Sequence, residues 1–210
     1  MLHDLDPQNV GDWKSNAEAA IKAGATHLQY VNEPDVDVAK GGTNIAVALA
    51  AASFTNMMQI KTENPNIKIG SPAVSNGVSG GPQGDMGIPY IQKFWDACTN
   101  CQFDFVAFHW YGDTLDELQA QVKAFYNAAK AEPKVVKDAN GDPTLWLTEF
   151  GINSGQGNPS AIQNFLVQDG TLDWLDQQSY LERYAYQWVA DQFLVTGTQI
   201  NAAGKAYISS

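Results

Sequence analysis

Apolar and polar positions along the chain switch between a helical and a strand period. From Trp13 to Ala23 the apolar residues Trp13, Ala17, Ala20 and Ile21 recur at spacings of three and four, and Gly24 supplies a stop, so a helix is predicted there. His27 to Val31 follows as a short strand that ends before Pro34. Ile45 to Lys61 reads as an alanine-rich helix closed by Asn64-Pro65, and Lys68-Ile69-Gly70 with its neighbours as a strand. Residues 75–88 hold five glycines and read as a loop, and Pro89 to Cys98 as a helix with proline in its first turn. Phe103 to Trp110 (FDFVAFHW) is the strongest strand signal in the chain, being rich in aromatic and β-branched residues. Thr114 to Lys130 reads as a helix, with Thr114 as N-cap and Glu117 three residues on completing a capping box. A turn-rich stretch from Glu132 to Pro143 leads into a strand from Leu145 to Phe150, then a loop from Gly151 to Ser160. Ile162 to Val167 and Gln178 to Leu194 are predicted helical, although Tyr184 to Val189 also fits a strand.

Strands and helices alternating in this way point to an α/β fold built on a parallel sheet. No repeat, low-complexity tract or linker interrupts the sequence, so residues 1–210 are expected to form a single domain. Hydrophobic residues make up 44% and charged residues 17%, which suits a packed core and excludes wholesale disorder. The formal net charge of −11 is a poor match for nucleic acid or an anionic membrane, and six tryptophans within an aromatic content of 11% suit a neutral sugar partner. No apolar run reaches the length of a membrane span, and the first thirty residues show no basic segment followed by an apolar core, so no signal peptide is visible. Cys98 and Cys101 form one C-x-x-C, read as a short local disulfide or as two half-buried thiols. The three histidines are scattered at 3, 27 and 109, too few and too dispersed for a zinc site, so no metal is expected. Neither G-x-G-x-x-G nor a Walker A sequence is present, and no organic cofactor is expected.

Two glutamates stand out by position. Glu33, in Val31-Asn32-Glu33-Pro34, and Glu149, in Leu147-Thr148-Glu149-Phe150-Gly151, each end a predicted strand. In a βα barrel the C-terminal strand ends form the active-site rim. A single glutamate at a strand end is more often solvated or salt-bridged. Two of them, buttressed by aromatics and followed by Pro or a nearby Gly, fit glycoside hydrolysis, which needs one acid for the leaving oxygen and one carboxylate on the other face of the sugar. The strand ending in His109-Trp110-Tyr111-Gly112 adds a third element. Alternation puts His109 and Tyr111 on one face, where they could hold a carboxylate, and Trp110 on the other.

The series NEP, SPAVSNG, C-x-x-C, DFVAFHWYG, WLTEFG and Glu182-Arg183-Tyr184-Ala185-Tyr186, in this order, resembles glycoside hydrolase family 128, the small fungal and bacterial β-1,3-glucanases. The resemblance runs from about Trp13 to Tyr207. It implies a (β/α)8 TIM-type barrel and retaining hydrolysis of β-1,3-glucan, outside the cell or in the cell wall, by a monomer acting on the glucan or its oligosaccharides. By the same resemblance Glu33 would be the general acid/base on the fourth strand and Glu149 the nucleophile on the seventh. Asn32 would bond the sugar 2-OH, and His109 and Tyr111 would orient Glu149 and the substrate. Trp110, Asn76 and the 71–84 loop are weaker candidates for the glucan cleft.

Only 32 residues precede Glu33, whereas three earlier βα units would need ~90. The first two strands and most of the third are therefore expected to be missing, with Met1-Leu2-His3 as the tail of the third. A fragment or mis-started reading frame competes with a genuine incomplete barrel, and the chain by itself is expected to be less stable than a whole enzyme. A glucan-binding module without catalysis, or a structural cell-wall protein with no site, derived from a truncated barrel, is the alternative function. Endo or exo action, chain-length preference and branch tolerance depend on loop shape.

Overall fold

A computed structural model describes residues 1–209. The chain forms two compact units, one of Met1–Phe108 with Phe125–Leu145, the other of His109–Ala124 with the chain from Trp146 onward.

The first unit opens with helix α1, Pro7–Lys22. Asp6 caps it by accepting from Gln8 N at 2.9 Å, and Pro7 sits in the first turn. This cap-and-proline start sets the helix six residues ahead of the apolar periodicity, which begins only at the buried Trp13. Strand β1, His27–Leu28, pairs in parallel with β2, Lys68–Ile69, in the register His27↔Lys68 and Leu28↔Ile69. Parallel bridges extend the pairing through Asn32↔Ala73, Gly70↔Phe105 and Val74↔Phe108. On the other side, Leu2 N donates to Gln29 O and Asn32 N to His3 O.

Between β1 and β2 the predicted single helix is two, α2 (Val47–Ser53) and α3 (Thr55–Glu63), joined at Phe54. Phe54 is fully buried, and its ring meets Tyr30 edge-on at 5.0 Å, Phe94 at 5.7 Å and Phe103 at 5.0 Å. The joint lets this ring reach the aromatic core, a demand that local periodicity does not express. Helix α4, Gly87–Ala97, packs on α2 and buries Tyr90, Ile91, Phe94 and Trp95. Cys98 and Cys101 just beyond it are disulfide-bonded, with Cα atoms 5.7 Å apart.

Strand β3, Val106–Gly112, and helix α5, Leu115–Ala131, follow. Thr114 and Glu117 form the predicted capping box: Glu117 N donates to Thr114 Oγ1 at 3.3 Å, and Thr114 N to Glu117 Oε2 at 3.1 Å. Strand β4, Leu145–Ile152, lies beside β3. Val106 N donates to Thr144 O near one end and Asn153 N to Gly112 O near the other, so the two strands run parallel.

In the second unit, α6 (Pro159–Gln163) continues into a π-helical turn at Asn164–Gln168, and α7 (Thr171–Asp176) leads to β5 (Leu181–Tyr186), which lies beside β4. The hairpin β6 (Val195–Thr196) and β7 (Gln199–Ile200) and a last helix α8 (Ala202–Tyr207) complete it. The helix predicted over 178–194 is therefore corrected to strand β5 followed by irregular chain. Cross-strand contacts decide this: Tyr184 and Tyr186 meet Phe150 edge-on at 6.0 and 5.1 Å, and Arg183 lies over Trp146 at 4.5 Å. Among the described residues the sheets have two, three and two strands, and none closes on itself. The fold class is α/β with parallel pairing. No helix among the described residues is long and apolar enough to cross a membrane.

Candidate functional site

In the first unit the backbone beyond β1 carries Asn32 and Glu33. Asn32 bridges Ala73 in parallel, and Glu33 N donates to Ala73 O at 2.8 Å. The Glu33 carbonyl accepts from Val36 N at 3.1 Å and Thr43 N at 3.0 Å, while Thr43 Oγ1 donates to Asn32 O at 2.6 Å. Glu33 has φ +36°, a left-handed conformation that costs a non-glycine residue about 1–3 kcal/mol and persists only where the surroundings enforce it. Both Asn32 and Glu33 are half-buried.

Two residues on, Asp35 is fully buried. Its Oδ2 accepts from Ser75 Oγ at 2.8 Å, Ser75 N at 3.1 Å and Gly87 N at 2.7 Å. Burial pushes the Asp35 carboxyl above the ordinary carboxylate range, and the bonds from Gly87 and Ser75 pull against that. Asn76, next to Ser75, is half-buried at the start of the glycine-rich loop.

In the second unit β3 and β4 bring three expected residues together. Tyr111 donates its hydroxyl to Glu149 Oε2 at 2.7 Å, and His109 Nδ1 lies 3.5 Å from the same oxygen. His109 is buried, whereas the Glu149 side chain is 29% exposed and so open to a ligand. The Tyr111 hydroxyl also touches the side-chain amide of Gln187. Trp110 corrects the weaker expectation for it. It is buried, stacks on Phe165 at 5.8 Å and 12°, and packs against Gly112, so its ring is not open to a sugar.

A cavity of about 160 Å³ adjoins Tyr111, lined also by Gly151, Gln156, Gln187, Trp188 and Phe193. Trp188 is 56% exposed and meets Phe193 edge-on at 6.2 Å. Gln187 and Trp188 were not among the expected site residues, although both lie in the stretch Tyr184 to Val189 that also fits a strand. The aromatic spacing Tyr184, Tyr186, Trp188 carries that strand period, and following it to the strand's C-terminal end would have found them.

Residues 1–207 match the family described as glycosyl hydrolase catalytic core. Over 97% of the chain, at 34% identity and a TM-score of 0.78, the fold superposes on 79% of a family 128, subgroup III, curdlan-specific exo-β-1,3-glucanase from Blastomyces gilchristii, solved in complex with glucose. The chain belongs to glycoside hydrolase family 128. This family 128 chain is also similar, at 25% identity and a TM-score of 0.71, to a subgroup II endo-β-1,3-glucanase from Sorangium cellulosum, with 93% of the chain matched to 75% of that protein. Over 175 residues it is 30% identical to alkali-sensitive linkage protein 1 of Schizosaccharomyces pombe, covering 82% of the chain but 28% of that protein's length.

Proposed function

We propose that the chain is a glycoside hydrolase of the (β/α)8 barrel type that hydrolyses β-1,3-glucan with retention of anomeric configuration. The observation that carries this reading is the convergence of Tyr111 and His109 on one oxygen of Glu149. A carboxylate held on one oxygen keeps a fixed rotamer, and its second oxygen becomes the nucleophile toward the anomeric carbon. Glu33 is the general acid/base: it protonates the departing glycosidic oxygen, then deprotonates the water that resolves the glycosyl-enzyme. A retaining mechanism sets the two carboxyl groups ~5–5.5 Å apart. Asn32 bonds the sugar 2-OH, and Asn76 contributes to the glucan cleft. Trp188 offers an exposed ring on which a sugar can stack.

The glucanases among its relatives support a β-1,3-glucan substrate, and the disulfide supports an oxidising location outside the cell or in the cell wall. A monomer is proposed. The test is reducing-sugar release from laminarin and curdlan, run beside pull-down on insoluble curdlan. Glu149→Gln should abolish release while keeping binding. Wild-type hydrolysis by that variant would refute the assignment, and wild-type binding with no release would favour a glucan-binding protein.

A further inference from the structure

Asp35 is a buried acid that the two-glutamate reaction does not use. It has a particular place in the chain. The 75–87 segment closes on itself through Gly80 N to Gly84 O at 3.1 Å and Gly84 N to Gly81 O at 2.9 Å, and Ser79 bridges Asp85. Its two stems, Ser75 and Gly87, both donate to the Asp35 carboxylate. Three donors thus meet at one oxygen, Oδ2, with distances between 2.7 and 3.1 Å.

The packing around this junction leaves no slack. A Cβ at Gly87 would run into the Gly77 carbonyl, one at Gly81 into the Asp35 carbonyl, and one at Gly77 into Met86. Glu33 stands two residues before Asp35 in a left-handed backbone conformation, and Ala73, which accepts from Glu33 N, stands two residues before Ser75. The backbone bridge Asn32–Ala73 before Glu33 and the Asp35 side-chain bonds to Ser75 after it therefore tie the same two stretches together. Something must hold the Glu33 backbone in that conformation, and ties on both sides of it do so.

We propose that Asp35 is a positioning residue whose carboxylate clasps both stems of the 75–87 loop to the turn that carries Glu33, and so sets the direction from which Glu33 delivers its proton. The catalytic half of this statement rests on the role of Glu33 proposed above; the clasp does not.

The two halves are tested separately. Without substrate, thermolysin should cut Asp35→Ala within residues 76–87 about tenfold faster than wild type, because the loop then opens without global unfolding. Asp35→Asn, whose amide oxygen can accept two of the three bonds made to Oδ2, should be cut at a rate between those of wild type and Asp35→Ala. If Asp35→Ala does not fold, Ser75→Ala removes one of the three donors and should raise cutting about threefold. Equal resistance in wild type and the folded variants overturns the clasp.

For catalysis, the folded variant with the opened loop is compared with wild type on a laminari-oligosaccharide and on a 2,4-dinitrophenyl β-glucoside, whose leaving group needs little protonation. Its kcat/KM, which reports the step in which the leaving group departs, should fall about 100-fold on the first and less than tenfold on the second. Equal losses overturn the route through Glu33. A wild-type chain that hydrolyses neither substrate refutes the proposed reaction, and the proteolysis then decides the clasp.

Discussion

Tyr111 shows how one side chain ties chemistry to geometry. Its single hydroxyl proton goes to Glu149, and the Gln187 amide touches the same oxygen. Tyr111→Phe keeps the ring and removes this bond. Its kcat on laminarin should fall about 10- to 100-fold while the melting temperature stays nearly unchanged, as paired kinetics and calorimetry would show. Asp35 gives a pH prediction. Its folded carboxyl titrates above the unfolded value because burial disfavours the charge. Between those two values the folded state holds a proton that the unfolded state has released. The stability this group contributes is therefore fully present below the ordinary aspartate range, near ~3.9, and is lost as pH rises through the raised value. Urea unfolding across that window should show this downward slope in wild type and not in Asp35→Asn. At this scale much was legible in the sequence. Glu33 and Glu149 stood out because strand ends, Pro34 and Gly151 punctuate them, and alternation put His109 and Tyr111 on one face. The same alternation turned Trp110 away; only its aromatic character had suggested a sugar. Asp35 was silent, because an aspartate after Glu-Pro reads as a turn residue and its donors lie 40 and 52 residues on.

Elements were legible wherever local pattern and tertiary demand agreed. The capped α5 and the aromatic β3 are such cases, since Thr114 with Glu117 and the FDFVAFHW run carry their own signals. The α2–α3 joint is the opposite case. Alanine-rich periodicity continues through it, and Phe54 at the joint packs among the distant rings of Tyr30, Phe94 and Phe103, which no local pattern expresses. Phe54→Ala would leave a cavity among those rings and should destabilise the fold by about 3–5 kcal/mol, measured as a fall in the urea midpoint. Strand β5 was hidden for a related reason. Its partners Trp146 and Phe150 lie more than thirty residues upstream, so a helical period over 178–194 looked as good until the cross-strand contacts were formed.

For the whole molecule, the acidic composition bears on the partner proposed above. A net charge of −11 should leave affinity for a neutral glucan almost unchanged between low and high salt, since no ion pairing with the ligand is involved. Calorimetric titration of laminarin into Glu149→Gln at several salt concentrations measures this, and a steep salt dependence would point to a charged ligand instead. The Cys98–Cys101 bond closes a very short ring, so in the chain-entropy account its loss should cost only about 2 kcal/mol; replacing both cysteines by serine should lower the thermal midpoint modestly without abolishing folding. What the sequence could not express was closure at long range: which glycines of the 75–87 stretch are required by packing and which by backbone conformation. Positions 77, 81 and 87 have no room for a side chain, while 80 and 84 face open space but hold φ of +83° and +86°, which favours glycine. A directed-evolution library aimed at new polysaccharide preferences should therefore diversify Val78, Ser79, Gln83 and Asp85 and leave all five glycines and Ser75 untouched; randomising the whole stretch would fill the pool with misfolded members.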